Sequence, residues 1–430
     1  MRSTVSVSMA AVLLLVGGLA GCSGSRSSTT TSNGTSASGP AKIGSGFFGV
    51  HDSDPVGALW PQVPVGSLRV WDAGAAWNQV ETSPGVFDFS RLDAIVATAR
   101  AHKAEVLIVL GQTPAFHATV PSPNAAYGAG ASSMPKLDAW RTYVDTVVRR
   151  YYGPDVQFQV WNEANVFNYW SGTPAQMAQL TAVARQVVDK VDPDITLVAP
   201  AFVTRLASQQ KWMDDFFAQK VGGEPVGDLI DVVSLQLYPV AATPTPEAAM
   251  AELASDRTIL AKDNVDKPVW NTESNYGAKG GKEVAPAPAD RQAANVARTY
   301  LLSAANGVRR VFWYAWDLTQ PIVDTFMVAA DRVTPTAAGR AFGTVQSWMI
   351  GTTVSSCDVD ASGTYTCTLV EGAKKSLVLW NSQRSVPVKV PAGIATSEKL
   401  TGATQPVPAG STLTVDAMPV LLRTSSSGAS

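Results

Sequence analysis

The sequence predicts an α/β protein in which a (β/α)8 TIM barrel is followed by a small antiparallel β-domain. Eight short apolar runs recur over about 300 residues, helix-like segments lie between most of them, and short alternating strands follow Gly351. Continuous apolar runs are typical of strands buried on both faces of a parallel sheet, and their alternation with helices predicts right-handed parallel units. A doubly wound open sheet is the alternative, but no glycine-rich phosphate loop follows an early strand.

The composition excludes several classes of protein. The 430 residues, 46% hydrophobic and 16% charged, are enough for a barrel-sized domain and a smaller one. A net charge of -2 indicates neither a nucleic-acid partner nor an anionic membrane surface, and favours an uncharged partner. Three cysteines exclude a disulfide scaffold, and three histidines are too few for a histidine-rich metal site.

The first 21 residues are predicted to be a lipoprotein signal peptide. Arg2 supplies a positive charge, and the apolar stretch 9–19 is too short to span a bilayer. Residues 19–22, Leu-Ala-Gly-Cys, resemble the bacterial lipobox, which predicts lipidation of Cys22. We therefore expect an exported protein, lipid-anchored to the bacterial cell membrane and facing outward. An ordinary signal peptide with an incidental cysteine is the alternative.

Four further segments follow in the predicted organisation. Residues 22–42 form the lipidated cysteine and a disordered Ser/Thr-rich tether, because this composition cannot bury enough apolar surface to fold. The catalytic barrel spans 43–350, a β-sandwich-like domain spans 351–424, and a disordered tail spans 425–430. Cys357 and Cys367 are the remaining pair of cysteines, and we expect them to form a disulfide in an exported protein.

The barrel elements follow in order along the chain. The predicted strands are the apolar, β-branched runs 46–50, 67–71, 105–110, 156–161, 195–199, 231–237, 268–271 and 310–315. Helices are predicted from Ser90 onward and over 137–152, 176–191, 246–262, 291–306 and 335–349. Thr173 and Pro174 provide a helix start signal. The first connection, 54–64, is proline-rich and not helical.

Short alternating strands are predicted after the barrel, over 364–369, 376–380, 386–390 and 412–415. A final apolar run, 419–422, either docks on the barrel or completes the sheet.

Two strand ends carry the candidate chemistry. The fourth strand ends in Trp-Asn-Glu-Ala-Asn, which includes Glu163, and the seventh in Trp-Asn-Thr-Glu-Ser, which includes Glu273. Active sites of such barrels lie at the carboxyl ends of the strands, so these glutamates are expected to face one another across the mouth. A pair of carboxyl groups about 5–5.5 Å apart is the geometry of retaining glycoside hydrolysis.

These residues resemble the catalytic pair of the clan A glycoside hydrolases. Within the clan, the 161–165 segment and the segment 77–89, WNQVETSPGVFDF, are most similar to glycoside hydrolase family 39 and its bacterial relatives. The resemblance covers about residues 47–422, since a small β-domain after the barrel is also a feature of that family. Ala164 stands where the family more often has proline, and Gln236 lies in the sixth-strand segment where histidine is frequent.

The resemblance implies a role for each matching residue. Glu163 would be the acid/base and Glu273 the nucleophile. Arg69 and Tyr238 would hydrogen-bond and orient the nucleophile, and Asn162 would bind the 2-hydroxyl of the sugar.

Further residues at strand ends are candidates for substrate binding. His51, His117 and Trp316 follow strands one, three and eight, and we expect them to contact the sugar because aromatic faces stack on sugar faces. The proposed chemistry needs no metal and no organic cofactor.

The sequence thus predicts a monomeric retaining glycoside hydrolase that cleaves O-glycosidic bonds of an extracellular or cell-envelope polysaccharide or oligosaccharide. One alternative is a catalytically inactive glycan-binding surface lipoprotein. Another is a transglycosylase that uses the same two glutamates with a sugar acceptor. The sugar, its linkage and the choice between endo and exo cleavage are left open.

Overall fold

The computed structural model of the protein describes residues 40–121, 127–240, 244–279, 282–408 and 410–424. The predicted signal peptide, Cys22, most of the predicted tether and the tail 425–430 lie outside this set. Among the described residues, no helix has the length and apolar character needed to cross a bilayer.

Eight parallel strands close into a barrel. The strands are β1 (Phe48–His51), β2 (Ser67–Val70), β3 (Glu105–Leu110), β4 (Val156–Val160), β5 (Leu197–Val203), β6 (Val232–Gln236), β7 (Val269–Ser274) and β8 (Val308–Trp313). Each strand pairs with its neighbours in chain order, and β1 pairs with β8 to close the ring. The predicted fold class is confirmed, and all the strand ends that carry candidate residues meet at one mouth.

Helices pack around the barrel in the connections after β2. They are α1 (Ser90–Ala101), α2 (Leu137–Tyr151), α3 (Pro174–Val191), α4 (Ala207–Phe217), α5 (Pro246–Lys262), α6 (Ala289–Ala305) and α7 (Ala337–Met349). At the start of α3, the hydroxyl of Thr173 accepts a hydrogen bond from the backbone N–H of Gln176, as the start signal predicted. The first connection contains only a 3-10 turn, Gly57–Leu59. The helix α4 was not predicted.

The short elements lie in the loops. A one-turn helix, Trp77–Val80, follows β2 and leads into a hairpin of Glu81–Ser83 with Val86–Phe87. A second hairpin pairs Lys220–Val221 with Glu224–Pro225.

A cluster of apolar side chains separate from the main core comes from five barrel strands, one side chain from each. Its members are Leu107, Val198, Val232, Trp270 and Phe312. Because side chains of different strands converge in the interior of a closed barrel, this cluster fills the barrel and makes it a packed core rather than a pore. The floor of the candidate site is therefore rigid.

An antiparallel β-domain follows α7. Its strands are β9 (Thr353–Val359), β10 (Thr364–Glu371), β11 (Lys374–Asn381), β12 (Val386–Lys389), β13 (Ile394–Lys399), β14 (Thr404–Pro406), β15 (Thr412–Val415) and β16 (Val420–Thr424). Six of them form one sheet in the order β9-β10-β11-β16-β13-β14, and β12 pairs with β15. The last run of the sequence therefore completes the sheet. The expected disulfide joins Cys357 and Cys367 across β9 and β10.

Two tryptophan side chains connect the β-domain to the barrel. The indole N–H of Trp348 in α7 donates to Glu398 of β13 at 2.9 Å. The indole of Trp380 in β11 donates to Glu247 of α5 at 3.1 Å. Since these indoles and their carboxylate partners are largely buried, the two hydrogen bonds hold the β-domain in a defined orientation on the barrel.

Candidate active site

Five polar side chains from four barrel strands or the loops after them meet at the mouth of the barrel. They are Arg69 on β2, Asn162 and Glu163 directly after β4, Gln236 at the end of β6 and Glu273 in β7. Glu163 and Glu273 line one cavity of about 390 Å³, which we call the central cavity. The sequence prediction that the two glutamates face a common space agrees with this arrangement.

Glu273 is surrounded by hydrogen-bond donors. Its carboxylate accepts from Arg69 Nη1 at 3.1 Å, from Gln236 Nε2 at 3.2 Å and from the hydroxyl of Tyr238 at 3.0 Å. Burial, together with the negative charge of Asp72, raises the pKa of Glu273 above its usual value, although the Arg69 charge and the hydrogen bonds from Tyr238 and Arg69 oppose this shift. Because these donors stabilise the charged form, Glu273 is the carboxyl of the pair that is best held ionised.

The guanidinium of Arg69 is fully buried and organises the floor of the site. Besides Glu273, it donates to Gln159 Oε1 through Nε at 2.7 Å and to Asn162 Oδ1 through Nη2 at 2.7 Å. Burial lowers the pKa of Arg69, and the Glu273 and Glu163 charges raise it. An arginine stays charged under such conditions, and its planar fork fixes the positions of all three partners.

Asn162 is fixed by its oxygen and presents its amino group. Its Oδ1 accepts from Arg69 and from Gln236 Nε2 at 2.9 Å, whereas its Nδ2 is buried without a hydrogen-bond partner among the described residues. A buried N–H without a partner is costly unless a ligand satisfies it. The Asn162 amide is therefore a donor prepared for a hydroxyl group of a substrate.

Glu163 has a different environment from Glu273. No hydrogen bond to its carboxylate is found among the described residues, and its backbone adopts the left-handed region, with φ of 45°. Burial, followed by the negative charge of Glu273, raises the pKa of Glu163, and the charges of Arg69 and Arg205 lower it. A protonated carboxyl is less costly to bury than a charged one and is not repelled by the charge of Glu273. Glu163 is therefore the carboxyl that holds a proton.

Of the three predicted sugar contacts, His51 lines a cavity of the site, whereas His117 and Trp316 do not. His51 lines a second cavity of about 270 Å³, which we call the β1–β8 cavity, and its Nε2 lies 2.9 Å from the carbonyl oxygen of Thr272. His117 bonds Glu81 at 2.9 Å and stacks on Trp77. Neither His117 nor the fully buried Trp316 lines the central or the β1–β8 cavity.

His117 and Trp316 are each held by a contact outside the two cavities. The carboxylate of Glu81 draws His117 towards the one-turn helix after β2, and the ring of Trp316 packs at 5.9 Å from Phe342 of α7. Their positions in the chain relative to strands three and eight are as expected; the ring of Trp316 is fully buried, whereas the side chain of His117 is partly exposed. For both residues, contact with a sugar stays a prediction.

Among the residues that line the central cavity, several were not predicted from the sequence, and three of them carry titratable oxygen groups. Asp72, Tyr169 and Tyr314 line the central cavity, and Asp72 and Tyr314 also line the β1–β8 cavity. The carboxylate of Asp72 accepts hydrogen bonds from the hydroxyls of Tyr127 and Tyr314. A signal for Asp72 was present, since it follows strand two only three positions after Arg69.

The described residues contain no group of three or more His, Cys, Asp or Glu side chains arranged to hold a metal ion.

The chain is similar to known proteins in part of its sequence and in its fold. No family model matches the sequence. A β-xylosidase of Geobacillus stearothermophilus is 29% identical over 139 residues, which cover 30% of this chain and 27% of that protein. The match thus spans about a quarter of the relative's length.

Solved structures share the whole architecture. A glucosidase from Croceicoccus marinus has a TM-score of 0.63 at 16% identity, with 90% of this chain and 97% of that chain covered. The GH39 enzyme of Xanthomonas axonopodis pv. citri has a TM-score of 0.61 at 14% identity, covering 90% and 95%. A GH30 endoxylanase from Clostridium papyrosolvens has a TM-score of 0.60 at 14% identity, covering 90% and 97%.

We expect the Glu163 carboxyl to titrate at a lower pH when Glu273 is replaced by glutamine. The negative charge of Glu273 is one cause of the raised pKa of Glu163, so its removal must lower that pKa. Carbon-13 NMR of labelled glutamate carboxyls, with Glu163 assigned through Glu163→Gln, measures the shift.

The exposed carboxylate of Glu371 provides the control, and Glu371→Gln should leave the titration of Glu163 unchanged. An unchanged or higher pKa of Glu163 in Glu273→Gln would show that the two carboxyls do not share an electrostatic environment.

The chain therefore has the barrel and β-domain of the glycoside hydrolases to which it is similar, and the resemblance to clan A, family 39 among its members, is confirmed at the level of the fold.

Proposed function

We propose that this protein is a retaining glycoside hydrolase that cleaves an extracellular or cell-envelope polysaccharide, with Glu273 as nucleophile and Glu163 as acid/base. One observation carries the proposal. Two carboxyl groups, from the loop after β4 and from β7, line the same cavity. Three hydrogen bonds and the Arg69 charge stabilise the charged form of Glu273, whereas burial and the charge of Glu273 favour the protonated form of Glu163. Environments that separate two carboxyls in this way define an acid and a nucleophile.

The first displacement follows from these protonation states. The Glu273 carboxylate attacks the anomeric carbon and forms a glycosyl ester, while the bond from that carbon to the leaving oxygen breaks. Glu163 gives its proton to the leaving oxygen, so the departing sugar is released as an alcohol. Tyr238 and Arg69 hold the attacking carboxylate in a fixed position, which lowers the entropic cost of the attack.

The second displacement returns the enzyme to its starting state. Glu163, now ionised, takes a proton from a water molecule, whose oxygen attacks the anomeric carbon and displaces Glu273. Two inversions at one carbon give overall retention. In both steps Asn162 Nδ2 is the candidate donor to the sugar 2-hydroxyl, since that amino group has no described partner.

Gln236 supports this chemistry where the family often has histidine. Its side-chain amide donates to both Asn162 and Glu273, and so connects the proposed 2-hydroxyl donor to the proposed nucleophile. The departure from the family pattern therefore preserves a hydrogen-bond donor at this place. The sugar that fits beside it is left open.

We also propose that the protein is exported and held on the outer face of the bacterial cell membrane by a lipid on Cys22. Support comes from the sequence, in the short apolar stretch followed by Leu-Ala-Gly-Cys.

We expect Glu273→Ala to abolish turnover on the glycan that a digestion panel identifies. Glu163→Ala should lower kcat on this glycan by about 10²–10⁴-fold, the usual size of general acid catalysis. The loss should be smaller on aryl glycosides with acidic phenols, because such leaving groups need no proton. Wild-type rates in either variant would exclude the assignment, and Glu371→Gln is the control for handling and folding.

The first product is expected to have the same anomeric configuration as the substrate. Proton NMR of the hydrolysis mixture in its first minutes, before mutarotation, distinguishes the two anomers. Inversion would require a water molecule between the sugar and Glu273 and would contradict the double displacement.

Replacing Cys22 by alanine should move the protein from the membrane fraction to the soluble fraction of a bacterial expression host. The loss of the acylated thiol removes the apolar chain that anchors the protein. Immunoblots of the two fractions measure the distribution, and a Cys22→Ala protein that stays in the membrane would rule out this anchor.

A further inference from the structure

A large cavity adjoins the central cavity on the side of β5, β6 and β7. It has a volume of about 620 Å³, and we call it the side cavity. Arg205, after β5, and Ala278, after β7, line both the side cavity and the central cavity. A sugar chain whose scissile bond lies between Glu163 and Glu273 can therefore continue into the side cavity without leaving the protein surface.

The side cavity carries an excess of positive charge. Three cationic residues line it, namely Arg205, Lys279 and Arg291, against one carboxylate, Asp324, which leaves a net charge of +2. Residues 241–243 and 280–281, which lie outside the described set, are Ala-Ala-Thr and Gly-Gly in the sequence and carry no charged side chain. The excess is local, since the whole chain has a net charge of -2.

These cations are only weakly engaged by the protein. Within the described residues, Arg205 makes no hydrogen bond or ion pair, although its charge lowers the pKa of Glu163. Arg291 donates to the carbonyl of Pro244 at the long distance of 3.5 Å and lies 4.0 Å from the carboxylate of Asp324. A guanidinium has five N–H donors, so most of those on both arginines are available to a ligand.

The β1–β8 cavity, on the other side of the central cavity, is lined mainly by negative charge. The β1–β8 cavity is lined by the carboxylates of Asp72 and Asp317, and the one arginine there, Arg332, is ion-paired with Asp317. An anionic sugar placed beside Asp72 would be repelled, whereas the same sugar beside Arg205 and Arg291 would gain charge-assisted hydrogen bonds. The difference in charge between the β1–β8 cavity and the side cavity therefore orients an acidic sugar chain, with its carboxylate towards the side cavity.

We infer that the side cavity is a subsite for a sugar that carries a carboxylate, so that the substrate is a polysaccharide containing uronic acid. This inference rests on the proposed function, because it places the uronic acid next to the sugar that is cleaved. The planar forks of Arg205 and Arg291 match a carboxylate, and Lys279 adds an exposed positive charge to the lining. The merely structural alternative, that these cations balance Glu163 and Asp324, predicts no preference for acidic sugars.

Cellobiouronic acid and cellobiose provide a matched pair of probes, since they differ only in a carboxylate in place of a hydroxymethyl group. Their binding is measured by isothermal titration calorimetry at low ionic strength on the Glu163→Gln protein, which retains the shape of the site. We expect the acidic disaccharide to bind about tenfold more tightly, the effect of one charge-assisted hydrogen bond. Added salt should reduce this ratio, because it screens the partly exposed charges.

Substitutions locate the effect. Arg291→Gln and Arg205→Gln in the Glu163→Gln background should each reduce the ratio of the two affinities towards one, with little change for cellobiose. Arg384→Gln removes the same charge from an exposed position of the β-domain and should leave the ratio unchanged. Equal binding of the two disaccharides, or a ratio that survives both substitutions in the cavity, would overturn the inference.

The outcomes separate this inference from the proposed function. If the wild-type protein hydrolyses a neutral glycan and shows no preference for cellobiouronic acid, the hydrolase proposal stands and the acidic subsite fails. If the acidic disaccharide is preferred through Arg291 but no glycan is hydrolysed, the subsite stands and the hydrolase proposal fails.

Discussion

The buried guanidinium of Arg69 is the interaction on which the rest of the site depends. It is a fully buried cation inside a closed barrel, and it is stable there only because acceptors surround it. Glu273 supplies the opposing charge, while Gln159 and Asn162 supply neutral oxygens. These partners come from β4, the loop after it and β7, so the ion pair also ties the strands of the two glutamates to β2. Loss of this cation would leave a buried negative charge uncompensated.

The two glutamates differ because their surroundings differ, although their sequence contexts are alike. Each follows a Trp-Asn pair at the end of an apolar strand. The side chain of Glu273 points to three donors, whereas Glu163 lies across the cavity with burial and a neighbouring negative charge acting on it. The proposed division of roles between acid and nucleophile therefore depends on the assembled mouth of the barrel.

The local charge at the cavities differs from the net charge of the chain. The near-neutral composition favoured an uncharged partner, yet the folded chain gathers cations at the side cavity and carboxylates at the β1–β8 cavity. The residues concerned come from the loops after β2, β5, β7 and β8 and from helix α6, so the net charge of the chain does not reveal them. A net charge describes long-range attraction, while a carboxylate within a few ångströms responds to the groups it touches.

The sequence by itself determined the barrel, because buried parallel strands need continuous apolar runs and these alternate visibly with helices. It also determined the two glutamates, since the carboxyl ends of such strands must share one mouth. Only the tertiary structure decided the contacts of His117 and Trp316, the hydrogen bonds of Asp72 and the presence of helix α4. Hydrogen bonds such as those of His117 to Glu81 and of Asp72 to Tyr314 join residues 36 and 242 positions apart. No local pattern can encode a partner at such a separation, because the fold alone brings the two together.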